Sequence, residues 1–349
     1  MFDPAFTLIG RGLELTLDDI PARGGVIDVG QAGVAGVVGA LKAGQGWIAR
    51  DTSVAAGDGP GFHLQTSGTT GAPKWVTHTL DTLTARIRPG TEKARWLLTY
   101  HPGSFAGVQV ILSAMIGGHE LIAPDPGDTA GSMALMGAVF DVTHMSGTPT
   151  FWRSALLVLG TRTFGLKSIT LGGEMADQAL LDALRAKFPE AVLRHIYATT
   201  EAGTVFSVGD GRAGFPAAWL NETLSVSDRG TLVVGGVDTG DVVEVVEDRV
   251  LFRGRADSMV NVGGVKVFPE TVEAHLLACP QVQEVRVTAK SSPITGAILV
   301  ADIVLNPRLS NHEPEIRAHI AQLPRAQRPA SLRFVDAIET GATGKKVRT

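Results

Sequence analysis

Residues 66–76 read TSGTTGAPKWV, which puts two glycines, four hydroxyl residues and one lysine into eleven positions. Glycine lets the backbone curve so that successive N–H groups face one concavity. The hydroxyls of Thr66, Ser67, Thr69 and Thr70 add side-chain donors, and Lys74 adds a mobile point charge. A polyphosphate suits that set, although an ordinary Gly/Thr-rich turn has the same composition. The stretch is not a Walker A loop, in which lysine directly follows glycine and opens a helix. Here Pro73 precedes Lys74 and Trp75 follows it, which weakens kinase and P-loop NTPase readings.

The elements around this stretch must hold it in place. The 349-residue chain is long enough for two domains, and 44% hydrophobic with 19% charged residues describes a folded globular protein. From Ala94 to Ala198, runs that read as strands (ARWLLTY, HELIAP, LKSITLGG, AVLRHIYA) alternate with runs that read as helices (GVQVILSAMIGG, TFWRSALLVLG, ADQALLDALRAKF). This alternation predicts a mostly parallel sheet with helices on its faces and ligands beyond the carboxyl ends of its strands. The loops YHPGSFAG, LGGE and YATTE follow such runs and would converge there. After Gly230 the texture becomes short alternating strands, then a compact α+β region, with a domain boundary expected near Arg255–Ser258 and a glycine-rich polar tail.

Other classes are disfavoured. A net charge of −4 without clustered lysines gives no footprint for nucleic acid. The first 25 residues do not read as a signal peptide, and no apolar run approaches the roughly 20 residues of a membrane helix. The single cysteine, Cys279, allows no intramolecular disulfide, fits a cytoplasmic location and reads as a packing residue.

TSGTTGAPK resembles the phosphate-binding signature of the adenylate-forming superfamily, which includes acyl-CoA synthetases, luciferases and peptide-synthetase adenylation domains. Four further resemblances follow in that family's order: YATTE (197–201), TGD (239–241), GRADSMVNVGGVKVFPETVE (254–273) and TGKKVR (343–348). The resemblance implies an α/β two-domain fold, with a shortened large domain over residues 1–256 and a small mobile α+β domain over 257–349. It implies ATP-dependent activation of a carboxylic acid as an acyl-adenylate, with pyrophosphate released and the acyl group passed to coenzyme A.

By the same resemblance, Thr66, Ser67, Gly68, Thr69, Thr70, Gly71 and Lys74 would cradle the β- and γ-phosphates. Thr200 would touch the α-phosphate and Glu201 would hold Mg²⁺. Tyr197 would stack on adenine, with Gly172, Gly173 and Glu174 along the same face. Asp241 would accept hydrogen bonds from the ribose with help from Arg255, and Lys345 would bridge carboxylate and phosphate oxygens. Asp257 matches the family's hinge position. Gly263 and Gly264 would admit a pantetheine arm, a role that a plain β-turn explains nearly as well.

Two departures affect pocket shape: Trp75 stands where the family has glycine, and Ala198 replaces the glycine of its Y-G-x-T-E. The signature also begins early, at Thr66, so much of the usual N-terminal subdomain would be missing. This compact form resembles the short o-succinylbenzoate–CoA ligases, whose H-x-x-G-[LV]-Q-V segment is matched loosely by residues 100–118 and would place His101 at the acyl gate. The expected pocket walls are Tyr100, His101, Phe105, Phe151, Trp152 and the backbone of Gly172 and Gly173, which suit an aryl or medium acyl acid. A carrier-protein thiol or an amine as acceptor, and a non-catalytic nucleotide binder, stay open as alternatives.

Overall fold

The computed structural model describes residues 1–10, 12–50, 52–56, 59–66, 74–88, 90, 92–293, 295–307, 309–310 and 312–338. They pack into two compact units. One comprises Met1–Glu174 and Leu184–Gly209, the other Met175–Ala183 and the described residues from Asp210 onward.

The first unit is built on an eight-stranded sheet. Its order is Gly203–Val208, Val192–Thr199, Ser168–Gly172, His144–Gly147, Arg95–Leu98, Glu120–Ile122, Thr7–Gly10 and Leu13–Thr16. The interior neighbours run parallel, and the outermost strand at each edge is antiparallel. Parallel strands need crossovers, and the helices Phe105–Gly117, Ala130–Val139, Pro149–Leu159 and Gln178–Lys187 supply them. Three of these helices begin on a hydroxyl cap: Ser104 accepts from the Gly107 N–H, Thr129 from Ser132 and Thr148 from Phe151. Each cap satisfies an orphan donor of the first turn, and so fixes where the loop between strand and helix must end.

The predicted alternation is present, with two elements that it did not contain. The helix Ala130–Val139 (AGSMALMGAV) is rich in small residues, and the strand His144–Gly147 (HMSG) has one large apolar side chain. Neither carries a clear period. Both are held by their neighbours, with the strand paired on each side.

A second sheet of this unit contains Val26–Asp28, Gly46–Ala49, Phe62–Gln65 and Trp75–His78, in that order. Its first two pairings are parallel and its last is antiparallel. Ile48, Phe62 and Leu64 from this sheet share one buried cluster with Leu8, Leu98 and Leu121 from the large sheet and with Val108 and Ile111 of the helix Phe105–Gly117. One core therefore sets the two sheets of this unit against each other.

The second unit contains a five-stranded antiparallel sheet from Phe215 to Arg255. It also contains another five-stranded sheet whose long hairpin is Val282–Ser292 with Gly296–Leu305. The helices Pro269–Leu277 and His312–Ile320 bury Val272, Leu276, Ile316 and Ile320 in its apolar cluster. Cys279 is buried in the same cluster, as a packing residue should be. Asp302 is 1% exposed on the long hairpin and receives Arg286 at 2.9 Å and Arg333 at 2.5 Å. Burial alone would raise its carboxyl pKa, but the two guanidiniums outweigh burial and hold it below the ordinary range. Removing one partner from a buried ion pair costs about 3–5 kcal/mol, and the partial exposure of both arginines favours the lower end. Asp302→Ala is expected to lose about 3 kcal/mol in urea denaturation, and a loss below about 1 kcal/mol would show the triad to be a surface network.

Candidate active site

At the carboxyl edge of the large sheet, loops from non-adjacent chain segments come together. Tyr100 follows the strand Arg95–Leu98 and is 8% exposed, with its hydroxyl donating to the Gly172 carbonyl at 3.3 Å. Burial raises the phenol pKa, and the nearby Glu174 charge raises it further against a hydrogen bond with Ser146. The hydroxyl therefore stays protonated. Glu174 itself is gripped by the first turn of the helix Pro149–Leu159: its carboxylate accepts from the Thr150 N–H at 3.0 Å and the Thr150 hydroxyl at 2.7 Å. Its side chain is thus part of the joint between two loops, where the sequence reading had used only the backbone of this segment.

His101 is half-buried. Its Nδ1 accepts from the Gly103 N–H at 3.1 Å, while its carbonyl accepts from the N–H and hydroxyl of Ser104. The acceptor role at Nδ1 leaves the proton of the neutral ring on Nε2. Burial, aided by the Arg50 charge, lowers the His101 pKa to about 4. The residue is a neutral hydrogen-bond donor at working pH. Phe151 lies beside these loops, but Trp152, an expected pocket wall, is fully buried with its Nε1 donating to the Thr170 carbonyl. Trp152 belongs to the core.

Thr200 is half-buried and Glu201 exposed, just past the strand Val192–Thr199. Thr199 Oγ1 accepts from the Ala202 N–H at 2.9 Å, which closes the turn that displays them. The Tyr197 ring stacks on Phe206 of the edge strand, 5.3 Å between centroids and 21° between planes. A lone exposed carboxylate fits a magnesium ion that draws its other ligands from phosphates and water. Among the described residues no group of three or more His, Cys, Asp or Glu side chains is placed to hold a metal.

The signature segment belongs to the smaller sheet, where it joins the antiparallel strands Phe62–Gln65 and Trp75–His78. Its neck is closed twice: the Thr66 N–H donates to the Lys74 carbonyl at 2.8 Å, and the Lys74 N–H to Thr66 Oγ1 at 3.1 Å. Ser67, Gly68, Thr69, Thr70 and Gly71 lie outside the described residues, as does Lys345. Lys74 is exposed. Trp75 donates to the Ala55 carbonyl and packs edge-on against Trp47, which stacks on His63. The ring that replaces the family's glycine is thereby turned into the aromatic stack of this sheet.

In the second unit, Asp241 and Arg255 face each other across two paired strands. Arg255 reaches Asp241 at 3.3 Å, the Thr239 carbonyl at 3.0 Å and Asp257 at 3.3 Å. The ribose candidate and the hinge candidate thus share one guanidinium. Gly263 and Gly264 have φ of 59° and 91° and form the two-residue turn between Val260–Val262 and Val265–Val267, a geometry that L side chains resist.

Two residues that the sequence reading passed over stand at this site. His78 closes the strand after the signature segment; it is 7% exposed, and among the described residues its Nε2 has no hydrogen-bond partner. Burial lowers its pKa against the opposing pull of the Thr200 backbone and the Glu201 charge. Arg50 lies under the turn of His101, where a Cβ on Gly103 would come 2.9 Å from its Cγ. The signal for Arg50 was an arginine ending a largely apolar run, GWIAR.

Comparison with known proteins decides the family. The AMP-binding enzyme family matches residues 24–247, and its C-terminal domain matches residues 271–345. The chain belongs to the AMP-binding enzyme family. It is similar to the 2-succinylbenzoate–CoA ligase of Geobacillus kaustophilus, 26% identical over 82% of this chain and 67% of that one. It is 24% identical to tyrocidine synthase 3 of Brevibacillus parabrevis over 81% of this chain, and spans 5% of that protein's length. The anthranilate CoA ligase AuaEII shares the fold, with a TM-score of 0.76 and 18% identity over 98% of this chain and 92% of that one. The resemblance drawn from the motifs, and the α/β adenylate-forming fold that it implied, therefore stand.

The state of His101 can be tested in solution. Its ring proton resonances, assigned by their loss in His101→Gln, are expected to shift only as pH falls toward about 4. Titration near its ordinary value of 6.5 would show that the burial and the Arg50 charge do not act on it.

Proposed function

We propose that this protein is an ATP-dependent carboxylate–CoA ligase working through an acyl-adenylate. The observation that carries this reading is the convergence of Tyr100, His101, Glu174, Thr200 and Glu201 at one sheet edge, beside the sheet bearing the neck of the signature hairpin. Both modules of the AMP-binding enzyme family are also present in order along the chain.

In this reading, residues 66–71 and Lys74 hold the β- and γ-phosphates, and Thr200 contacts the α-phosphate. Tyr197 offers its ring to adenine, while Asp241 and Arg255 bind the ribose. Mg²⁺ held by Glu201 would supply charge neutralisation on the phosphates. A carboxylate oxygen of the acid attacks the α-phosphorus, the bond to the β-phosphate oxygen breaks, and pyrophosphate leaves. Lys345 would neutralise the charge gathering on both oxygens, since positioning and electrostatics carry most of such a step. A pivot at Asp257 then exchanges Lys345 for the turn of Gly263 and Gly264. The thiol sulfur of coenzyme A, having lost its proton, attacks the acyl carbon, and AMP departs with the bridging oxygen. The aromatic surroundings of Tyr100, Phe105 and Phe151 favour an aryl or medium acyl acid, with neutral His101 as its donor at the gate. The similarity to the probable non-canonical nonribosomal peptide synthetase CymA of Salinispora arenicola, 25% identical over 82% of this chain, supports a second acceptor, a carrier-protein thiol.

The test is carboxylate-dependent pyrophosphate release with ATP and Mg²⁺ across aryl, fatty and dicarboxylic acids, with and without coenzyme A. One acid class is expected to release pyrophosphate and give a thioester, with Lys345→Ala slower by at least about 100-fold, the loss typical of removing one transition-state donor. Pyrophosphate without thioester would move the acceptor to a carrier protein or an amine. Release by no acid would overturn the ligase reading.

A further inference from the structure

Arg50 makes contacts that the proposed reaction does not yet use. It stands one residue past the strand Gly46–Ala49, which pairs in parallel with Phe62–Gln65, the strand that runs into the signature hairpin. Its backbone N–H donates to the side-chain oxygen of Gln65 at 2.7 Å, and Gln65 is 1% exposed. Its Nη2 donates to the Gln65 carbonyl at 2.7 Å and also to the carbonyl of Thr66.

Successive carbonyls of a regular strand point in opposite directions, so one nitrogen cannot serve both. The backbone must therefore bend between Gln65 and Thr66, at the residue where the hairpin neck closes against Lys74. Both carbonyls turn toward one cation. A buried guanidinium keeps its charge, because its intrinsic pKa lies so high, and a bond from a charged donor is stronger than a neutral one. The stem lies against Gly103, where a Cβ would come 2.9 Å from its Cγ, and Nη2 is tied to two carbonyls, so the group has little freedom to swing away.

We infer that Arg50 is a positioning residue for ATP: it fixes the bend at Gln65 and Thr66, the residues that lead into the signature segment, and braces that bend against the turn carrying His101. This rests on the reading that the hairpin binds the β- and γ-phosphates. A brace of that kind serves ATP and not AMP, which lacks those phosphates. A general support of the fold would serve both alike.

The experiment is calorimetric binding of ATP with Mg²⁺, and separately of AMP, to wild type, Arg50→Met and Arg50→Lys, with folding checked by circular dichroism. Arg50→Met is expected to weaken ATP by at least about tenfold, the scale of one lost charge-assisted hydrogen bond, and AMP by less than about twofold. Arg50→Lys, which keeps the charge but not the fork, is expected to fall between the two for ATP and to leave AMP unchanged. If Arg50→Met does not fold, Arg50→Lys carries the test, with ATP weakened at least about threefold and AMP unchanged. Equal losses for both nucleotides, or none for ATP, overturn the inference while leaving the hairpin reading intact. Wild type that binds AMP no more weakly than ATP overturns the hairpin reading and the inference with it.

Discussion

Parallel strands of one sheet share a direction, and so release their loops at one edge. This constraint brings Tyr100, Ser146, Gly172 and Thr199 together from positions far apart in the chain. Everything proposed for the acyl and nucleotide site of the first unit depends on it. The hydroxyl caps at Ser104 and Thr148 limit how far two of those loops can wander before a helix begins. Cross-links between neighbouring loops then set finer distances: Tyr100 to the Gly172 carbonyl, and Thr150 to Glu174. A change in any one strand's register would move its loop by a residue and face the wrong side chain inward.

The smaller sheet supplies the antiparallel pair Phe62–Gln65 and Trp75–His78, whose neck is closed by Thr66 and Lys74. Its two strands reach the large sheet's loops through different side chains. Arg50, beside the incoming strand, sits under the His101 turn, and His78, at the end of the outgoing strand, lies beside Thr200 and Glu201. The groups near these contacts are kept in fixed states by burial, with His101 neutral and the Tyr100 phenol protonated. That suits a site where the charge arriving on phosphates and carboxylate is to be met by cations and dipoles already in place.

Much of this was legible in the sequence. Apolar spacing of three and four announced Gln178–Lys187, the apolar runs at Phe105–Gly117 and Pro149–Leu159 read as helices, and the short runs at Ser168–Gly172 and Val192–Thr199 announced strands. His144–Gly147 was silent because its stability comes from two partner strands and not from its own residues. Trp152 was misread because an aromatic near a loop looks the same in sequence whether it lines a pocket or fills a core; here the Thr170 carbonyl holds its indole inside. His78 and Arg50 belong to no motif, and their use emerges only when strand pairing sets them beside segments distant in the chain.

The most direct measurement is exchange of radiolabelled pyrophosphate into ATP, with and without a carboxylic acid, for wild type and Lys74→Ala. It reads the adenylation half-reaction alone, whatever the acceptor. Exchange that requires an acid and falls by at least about tenfold in Lys74→Ala, as loss of a charged phosphate contact predicts, is the expected result. Exchange independent of added acid, or unaffected by the loss of Lys74, would contradict the account.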